Sequence, residues 1–147
     1  MGVEIERKFL VKDDSFKRLA EKSVHITQGY LNRNAQRTVR VRIRDNQAFL
    51  TVKGISSYDS RMEYEYEIPV KDAEEMISLC EGAVLDKTRF LVRYKGFLWE
   101  IDEFHNLKES MTIAEIELPS SETVFPVPPF VGEDVTGDPR YFNSNLA

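Results

Sequence analysis

Cysteine is nearly absent, and the single Cys80 excludes both an internal disulfide framework and any cysteine-based metal centre. Cys80 is read instead as core packing. Long apolar runs are also missing, so no segment has the length of a bilayer-spanning helix, and the charged first residues do not form an apolar signal-peptide core. The expectation is a cytoplasmic protein with no membrane partner. Histidine is scarce: His25 and His105 stand alone, and each reads as a surface or internally satisfied side chain rather than a catalyst. No glycine-rich phosphate loop is present, which removes NTPases of the P-loop kind. With 20 Lys+Arg against 25 Asp+Glu, the net charge of −5 argues against general nucleic-acid binding, though not against a local cationic pocket. The 147 residues are 41% hydrophobic and 31% charged, which is ordinary for one globular domain spanning 1–147.

The chain is rich in strands that carry charge on alternate residues. In the opening stretch Glu4-Ile5-Glu6-Arg7-Lys8-Phe9, positions 4, 6 and 8 share one face. The same pattern returns in Thr38-Val39-Arg40-Val41-Arg42-Ile43-Arg44 and in Glu63-Tyr64-Glu65-Tyr66. The periodicity predicts strands at about 3–11, 24–32, 38–44, 49–53, 61–68, 86–92, 98–102 and 113–118, with hairpin turns at Asp45-Asn46-Gln47 and Lys95-Gly96. Asp13-Asp14-Ser15 announces a short helix with Phe16, Leu19 and Ala20 on one face. A longer helix is expected over about 72–81, with Asp72 and Glu75 as a capping box and Gly82 as its stop. Asp138-Pro139 suggests a terminal helix that either plugs an opening or docks on the outside.

Eight mostly antiparallel strands with few helices describe a mainly β, α+β fold, and eight strands can close into a barrel. The apolar set Val39, Val41, Ile43, Leu50, Val52, Tyr64, Tyr66, Ile101, Ala114 and Ile116 then packs outward under helices and loops. The charged set faces inward: Glu4, Glu6, Lys8, Arg40, Arg42, Lys53, Glu63, Glu65, Lys87, Arg89, Glu100, Asp102, Glu115 and Glu117. The opposite arrangement, an apolar barrel with charges outside, is weakened by acidic neighbours such as Glu115 and Glu117, whose repulsion on one face calls for a cation. Arginines and lysines on adjacent strands suit phosphate oxygens, and paired carboxylates without His or Cys suit a hard cation such as Mg²⁺ or Mn²⁺. Trp99 has the opposite parity to Glu100 and reads as outer packing.

The ordered set Glu4-x-Glu6-x-Lys8, Arg40-x-Arg42, Lys53, Glu63-x-Glu65, Lys87-x-Arg89, Glu100-x-Asp102 and Glu115-x-Glu117 closely resembles the CYTH, or triphosphate tunnel metalloenzyme, superfamily over nearly the whole chain. The resemblance implies an eight-stranded antiparallel tunnel holding a triphosphate with a divalent metal. Within the superfamily the chain is most similar to the short prokaryotic type that hydrolyses inorganic triphosphate. The alternatives are a class IV-type adenylate cyclase, a thiamine triphosphatase, or a polyphosphate-binding module without turnover. The resemblance makes Glu4, Glu6 and Glu117 the first metal ligands, with Glu63, Glu65, Asp102 and Glu115 beside them. Lys8, Arg40, Arg42, Lys53, Lys87 and Arg89 would hold phosphate oxygens. No nucleic-acid partner is implied, and a homodimer is left open.

For the general base, a lysine among other cations loses proton affinity by repulsion and burial. Lys53 is the first candidate, ahead of Lys8 and Lys87, because no acidic residue adjoins it on its own strand face. Tyr30 is the residue that would orient it, if it points inward rather than packing half-buried.

Overall fold

The computed structural model describes residues 2–147. Nine strands form: β1 (Gly2–Val11), β2 (Lys22–Asn32), β3 (Arg37–Arg44), β4 (Gln47–Gly54), β5 (Ser60–Ile68), β6 (Glu81–Tyr94), β7 (Phe97–Phe104), β8 (Thr112–Glu117) and β9 (Val131–Asp134). Three short helices accompany them: α1 (Phe16–Leu19), α2 (Val70–Ile77) and α3 (Asn143–Leu146). The strands run in the order β5-β4-β3-β2-β6-β7-β8-β1, every pairing is antiparallel, and β1 closes the ring by pairing back onto β5. The result is a closed eight-stranded barrel with no free edge.

β1 divides its ladder. Gly2–Ile5 pair with β5, whereas Phe9 and Val11 on the same side pair with β9. The strand β9 was not expected, because four residues in a Pro- and Gly-rich stretch carry no alternation. It lies outside the ring.

Strand parity sends the apolar residues outward. On β3, Val41 is fully buried against α2, in a cluster with Ala48 and Ala73 joined by Ile43, Leu50, Met76 and Ile77. A second outer cluster gathers Phe9, Phe16, Trp99, Ile101, Ile116 and Phe130 over β1, β7 and β8, with the Phe9 and Trp99 rings 5.5 Å apart. Trp99 is thus outer packing, as its parity indicates. The outward set is not uniformly covered. Val52, Tyr64 and Tyr66 remain 37%, 42% and 63% exposed, because α2 packs mainly on β2, β3 and β4.

Three boundaries differ from expectation. The helix α2 starts at Val70 behind Pro69, whose φ of −60° sets the entry, and Asp72 makes no side-chain cap. The helix ends near Ser78, leaving Cys80 in the following turn with its thiol toward the Met76 carbonyl. Gly82, with φ of +67°, lies inside β6, where the register against β2 shifts between Tyr30↔Glu81 and Gln28↔Leu85. The C-terminal helix forms as a 3-10 turn, Pro139–Tyr141, capped by Asp138 Oδ1 accepting from Arg140 N at 3.0 Å, followed by α3. A third apolar cluster of Leu85, Phe104 and Ile113 shares the inward parity of Lys87 and Asp102, and Tyr141 and Leu146 close over it. One end of the barrel interior is therefore sealed by the C-terminal segment.

Candidate metal and anion site

The remaining interior is a cavity of about 200 Å³ open to solvent, and its wall is built mainly of charged side chains. Glu4, Glu6, Lys8, Arg40, Arg42, Lys53, Glu63, Glu65, Arg89, Glu100, Glu115 and Glu117 all line it. The period of two puts Glu4 and Glu6 on one face of β1, and the β1–β8 register sets Glu117 directly opposite Glu6. Carboxylate oxygens of Glu4, Glu6 and Glu117 consequently lie within 4.8 Å of one another.

The electrostatics of this trio are unbalanced. Burial, reinforced by Glu115 and Glu4, holds the Glu6 carboxyl well above the usual carboxylate range. Burial, together with Glu4, Glu100 and Glu63, pushes Glu117 up to about 7. Burial acts on Glu4 in the same sense, but Lys53 outweighs it and draws this carboxyl down. An oxygen-only set under such mutual repulsion fits a hard divalent cation, which would replace proton sharing by direct charge compensation.

The cationic wall faces this trio. Arg40 donates from Nη2 to Thr51 Oγ1 at 3.2 Å and lies 3.6 Å from Glu65, while its buried Nε has no partner among the described residues. Arg42 donates from Nε to Gln28 Oε1 at 2.9 Å, and no carboxylate among the described residues pairs with it. Burial and the nearby Arg40 and Arg89 lower its pKa to about 9. A guanidinium crowded by its own kind is the cationic counterpart of the acidic trio: a polyanion relieves it as a cation relieves the trio.

The other expected site residues sort into distinct environments. Lys8 lies 3.6 Å from Glu115 and donates to the Tyr141 carbonyl at 3.2 Å. Glu115 also approaches Arg89 at 3.5 Å, and Lys8 and Arg89 outweigh burial to lower its pKa to about 2. Glu63 and Glu65 line the cavity but are engaged with Lys53 and Arg40 respectively.

Lys87 and Asp102 do not line the cavity. They form a wholly buried pair at 2.7 Å, and Asp102 also takes both prongs of Arg89, at 2.7 and 2.9 Å. Arg89 and Lys87 hold the Asp102 carboxyl far below its usual range despite burial. Its oxygens are committed to cations, which corrects its placement among metal ligands. Lys87 is likewise removed from direct phosphate contact, beneath Asn143.

Lys53 Nζ donates to Glu4 Oε1 at 2.8 Å and lies 3.4 Å from Glu63, so acidic partners reach it from neighbouring strands. Tyr30 does point inward and is buried, but its cross-strand neighbour is Arg40, and no hydrogen bond joins it to Lys53. The lysine whose pKa falls, to about 7 under burial and the nearby Arg42 and Arg89, is Lys87, outside the cavity lining.

Several lining residues escaped the sequence reading. Arg44 and Arg61 continue the inward parity of Arg40-Arg42 and Glu63-Glu65, a signal that was available. Gln28 and Thr51, buried behind the lining where they hold Arg42 and Arg40, are neutral and gave none. Phe142, Asn143 and Ser144 reach the cavity only because the C-terminal segment folds back onto the barrel. His25 pairs with Asp86 at 2.9 Å and His105 with Thr88 at 2.7 Å, both at the exposed surface.

Residues 2–134 match the family model described as CYTH domain. The chain is 51% identical to an inorganic triphosphatase of Acetivibrio thermocellus, over 99% of this chain and 94% of that one. It is 36% identical to an inorganic triphosphatase of Nitrosomonas europaea, over 98% and 96% of the two chains. A crystal structure of an inorganic triphosphatase superposes with a TM-score of 0.70 at 34% identity, covering 98% of this chain and 97% of that one.

Proposed function

The chain belongs to the CYTH domain family, and from that premise we propose that it is a divalent-metal-dependent hydrolase of inorganic triphosphate, releasing diphosphate and phosphate. The supporting observation is the juxtaposition of the Glu4–Glu6–Glu117 trio with the carboxylate-free Arg42 and the half-satisfied Arg40 in one cavity. The two inorganic triphosphatase relatives extend the same reading to substrate.

Hydrolysis of a phosphoanhydride needs mainly positioning and neutralisation of spreading negative charge. Arg40 and Arg42 bind the phosphoryl oxygens as forks, and Lys8 and Lys53 bind as point charges that exchange part of their carboxylate pairing for phosphate. Glu4, Glu6 and Glu117 would hold Mg²⁺ or Mn²⁺, which would supply positive charge to neutralise the phosphate chain. Glu63 and Glu65 hold Lys53 and Arg40 in place. Glu115, between Lys8 and Arg89, keeps these cations spaced along the wall.

The test is phosphate release from inorganic triphosphate and from ATP, with cyclic AMP measured in the same samples, in Mg²⁺, Mn²⁺ and chelator. Metal-dependent release of phosphate, with ATP the poorer substrate, is expected. Conversion of ATP to cyclic AMP would establish a cyclase, and undiminished turnover in chelator would remove the metal from the account.

A further inference from the structure

We propose that Asn143, on the C-terminal segment that seals the barrel, is a positioning residue for the anion site and acts through Gln28 on Arg42. The inference rests on the triphosphatase reading above and adds a residue outside the charged wall. Gln28 is fully buried on the inner face of β2, and both ends of its amide are used. Its Nε2 donates to Asn143 Oδ1 at 3.1 Å, and its Oε1 accepts from Arg42 Nε at 2.9 Å.

The polarity of this chain is dictated from one end. The Arg42 guanidinium can only donate, so Gln28 must turn its oxygen to Arg42 and its NH₂ to Asn143, whose oxygen also accepts from Lys87 Nζ at 2.9 Å. Reversing the Gln28 amide would set donor against donor at Arg42 and acceptor against acceptor at Asn143.

The consequence falls on Arg42 because, among the described residues, no carboxylate or side-chain acceptor other than Gln28 holds it. Arg89 is gripped by Asp102, Lys53 by Glu4, and Arg40 by Thr51 and Glu65. Gln28 makes the one side-chain hydrogen bond to Arg42 among the described residues, and it engages only Nε. A neutral acceptor fixes the plane of the guanidinium without neutralising it, and leaves both Nη groups for phosphate oxygens. A fork set this way loses little freedom on binding.

The test is steady-state kinetics of the full chain with inorganic triphosphate and Mg²⁺, with melting temperatures recorded alongside. Asn143→Ala and Gln28→Met should each raise KM about tenfold, the loss expected for a hydrogen bond to a charged group, with a smaller change in kcat. Asn143→Asp keeps an oxygen facing both donors and should restore most of the loss. In an Arg42→Ala background, Asn143→Ala should add less than about twofold, because the residue it acts through is gone. Full additivity with Arg42→Ala, an unchanged KM in Asn143→Ala, or an Asp variant no better than Ala would overturn the proposal. If Asn143→Ala does not fold, the same cycle run with Gln28→Met decides it. A wild type that releases no phosphate from triphosphate overturns the underlying functional reading instead, and the positioning claim falls with it.

Discussion

The barrel interior holds two groups of charges that obey opposite rules. At the sealed end, Lys87 and Asp102 are buried and opposite in sign, and Arg89, which also reaches the cavity wall, grips the same carboxylate, with contacts of 2.7–2.9 Å. Toward the open cavity, Glu4, Glu6 and Glu117 crowd together, and Arg42 stands near Arg40 and Arg89 without a carboxylate of its own. Burial is tolerable in the first case because each charge meets its opposite. In the second, like charges are concentrated on both walls and the compensation is deferred to a ligand. Alternating charge in a strand therefore carries two meanings, and the pairing across strands separates structure from function.

The comparison predicts that substitutions at the two ends fail in different ways. The largest effect should come from Asp102→Ala, which strands Lys87 and Arg89 in the interior and should cost about 3–5 kcal/mol of stability, read by denaturant unfolding. Glu4→Gln, Glu6→Gln and Glu117→Gln should instead lower triphosphate turnover by about a hundredfold or raise the metal requirement. The folded state should survive in all three. Arg42→Ala should raise KM about tenfold, and Arg42→Lys should recover only part of it because an ammonium lacks the fork.

A pH effect of smaller size separates the ends again. A carboxyl raised in the folded state keeps a proton that the unfolded chain has already released. For Glu117 this window runs from 4.5 to about 7, and Glu6 acts in the same sense. In chelator, the melting temperature should fall as pH rises through that window, and Mg²⁺ or Mn²⁺ should abolish the fall. Glu115, lowered to about 2, contributes stability that is lost only at pH below 4.5 and so does not mask the effect. The smallest change is expected outside the barrel: Tyr66→Ser, on the uncovered face of β5, should stay within about 0.5 kcal/mol and leave kinetics unchanged.

The alternation of β1, β3 and β5 made the barrel and its inward charges legible, because a period of two assigns each side chain to a face. It could not show how far around the ring two strands lie. That is why the absence of an acidic neighbour on β4 failed to reveal Glu4 and Glu63 beside Lys53, and why Asp102 looked available for metal until Lys87 and Arg89 closed on it. Neutral Gln28 and Asn143 carried no pattern at all, since their role depends on a C-terminal segment folding into the barrel. β9 and the true start of β6 were hidden for a local reason: an edge strand of four residues and a bulge around Gly82 both interrupt the alternation.

The claim that the open end is a charge imbalance awaiting a cation is tested most directly by calorimetric titration of Mn²⁺ into chelator-stripped protein. The wild type and the Glu6→Gln and Glu117→Gln variants should be compared in buffers of different ionisation enthalpy. Saturable binding that releases protons in the wild type and weakens strongly in both variants is predicted. Absence of saturable binding in the wild type, or undiminished binding in both variants, would contradict it.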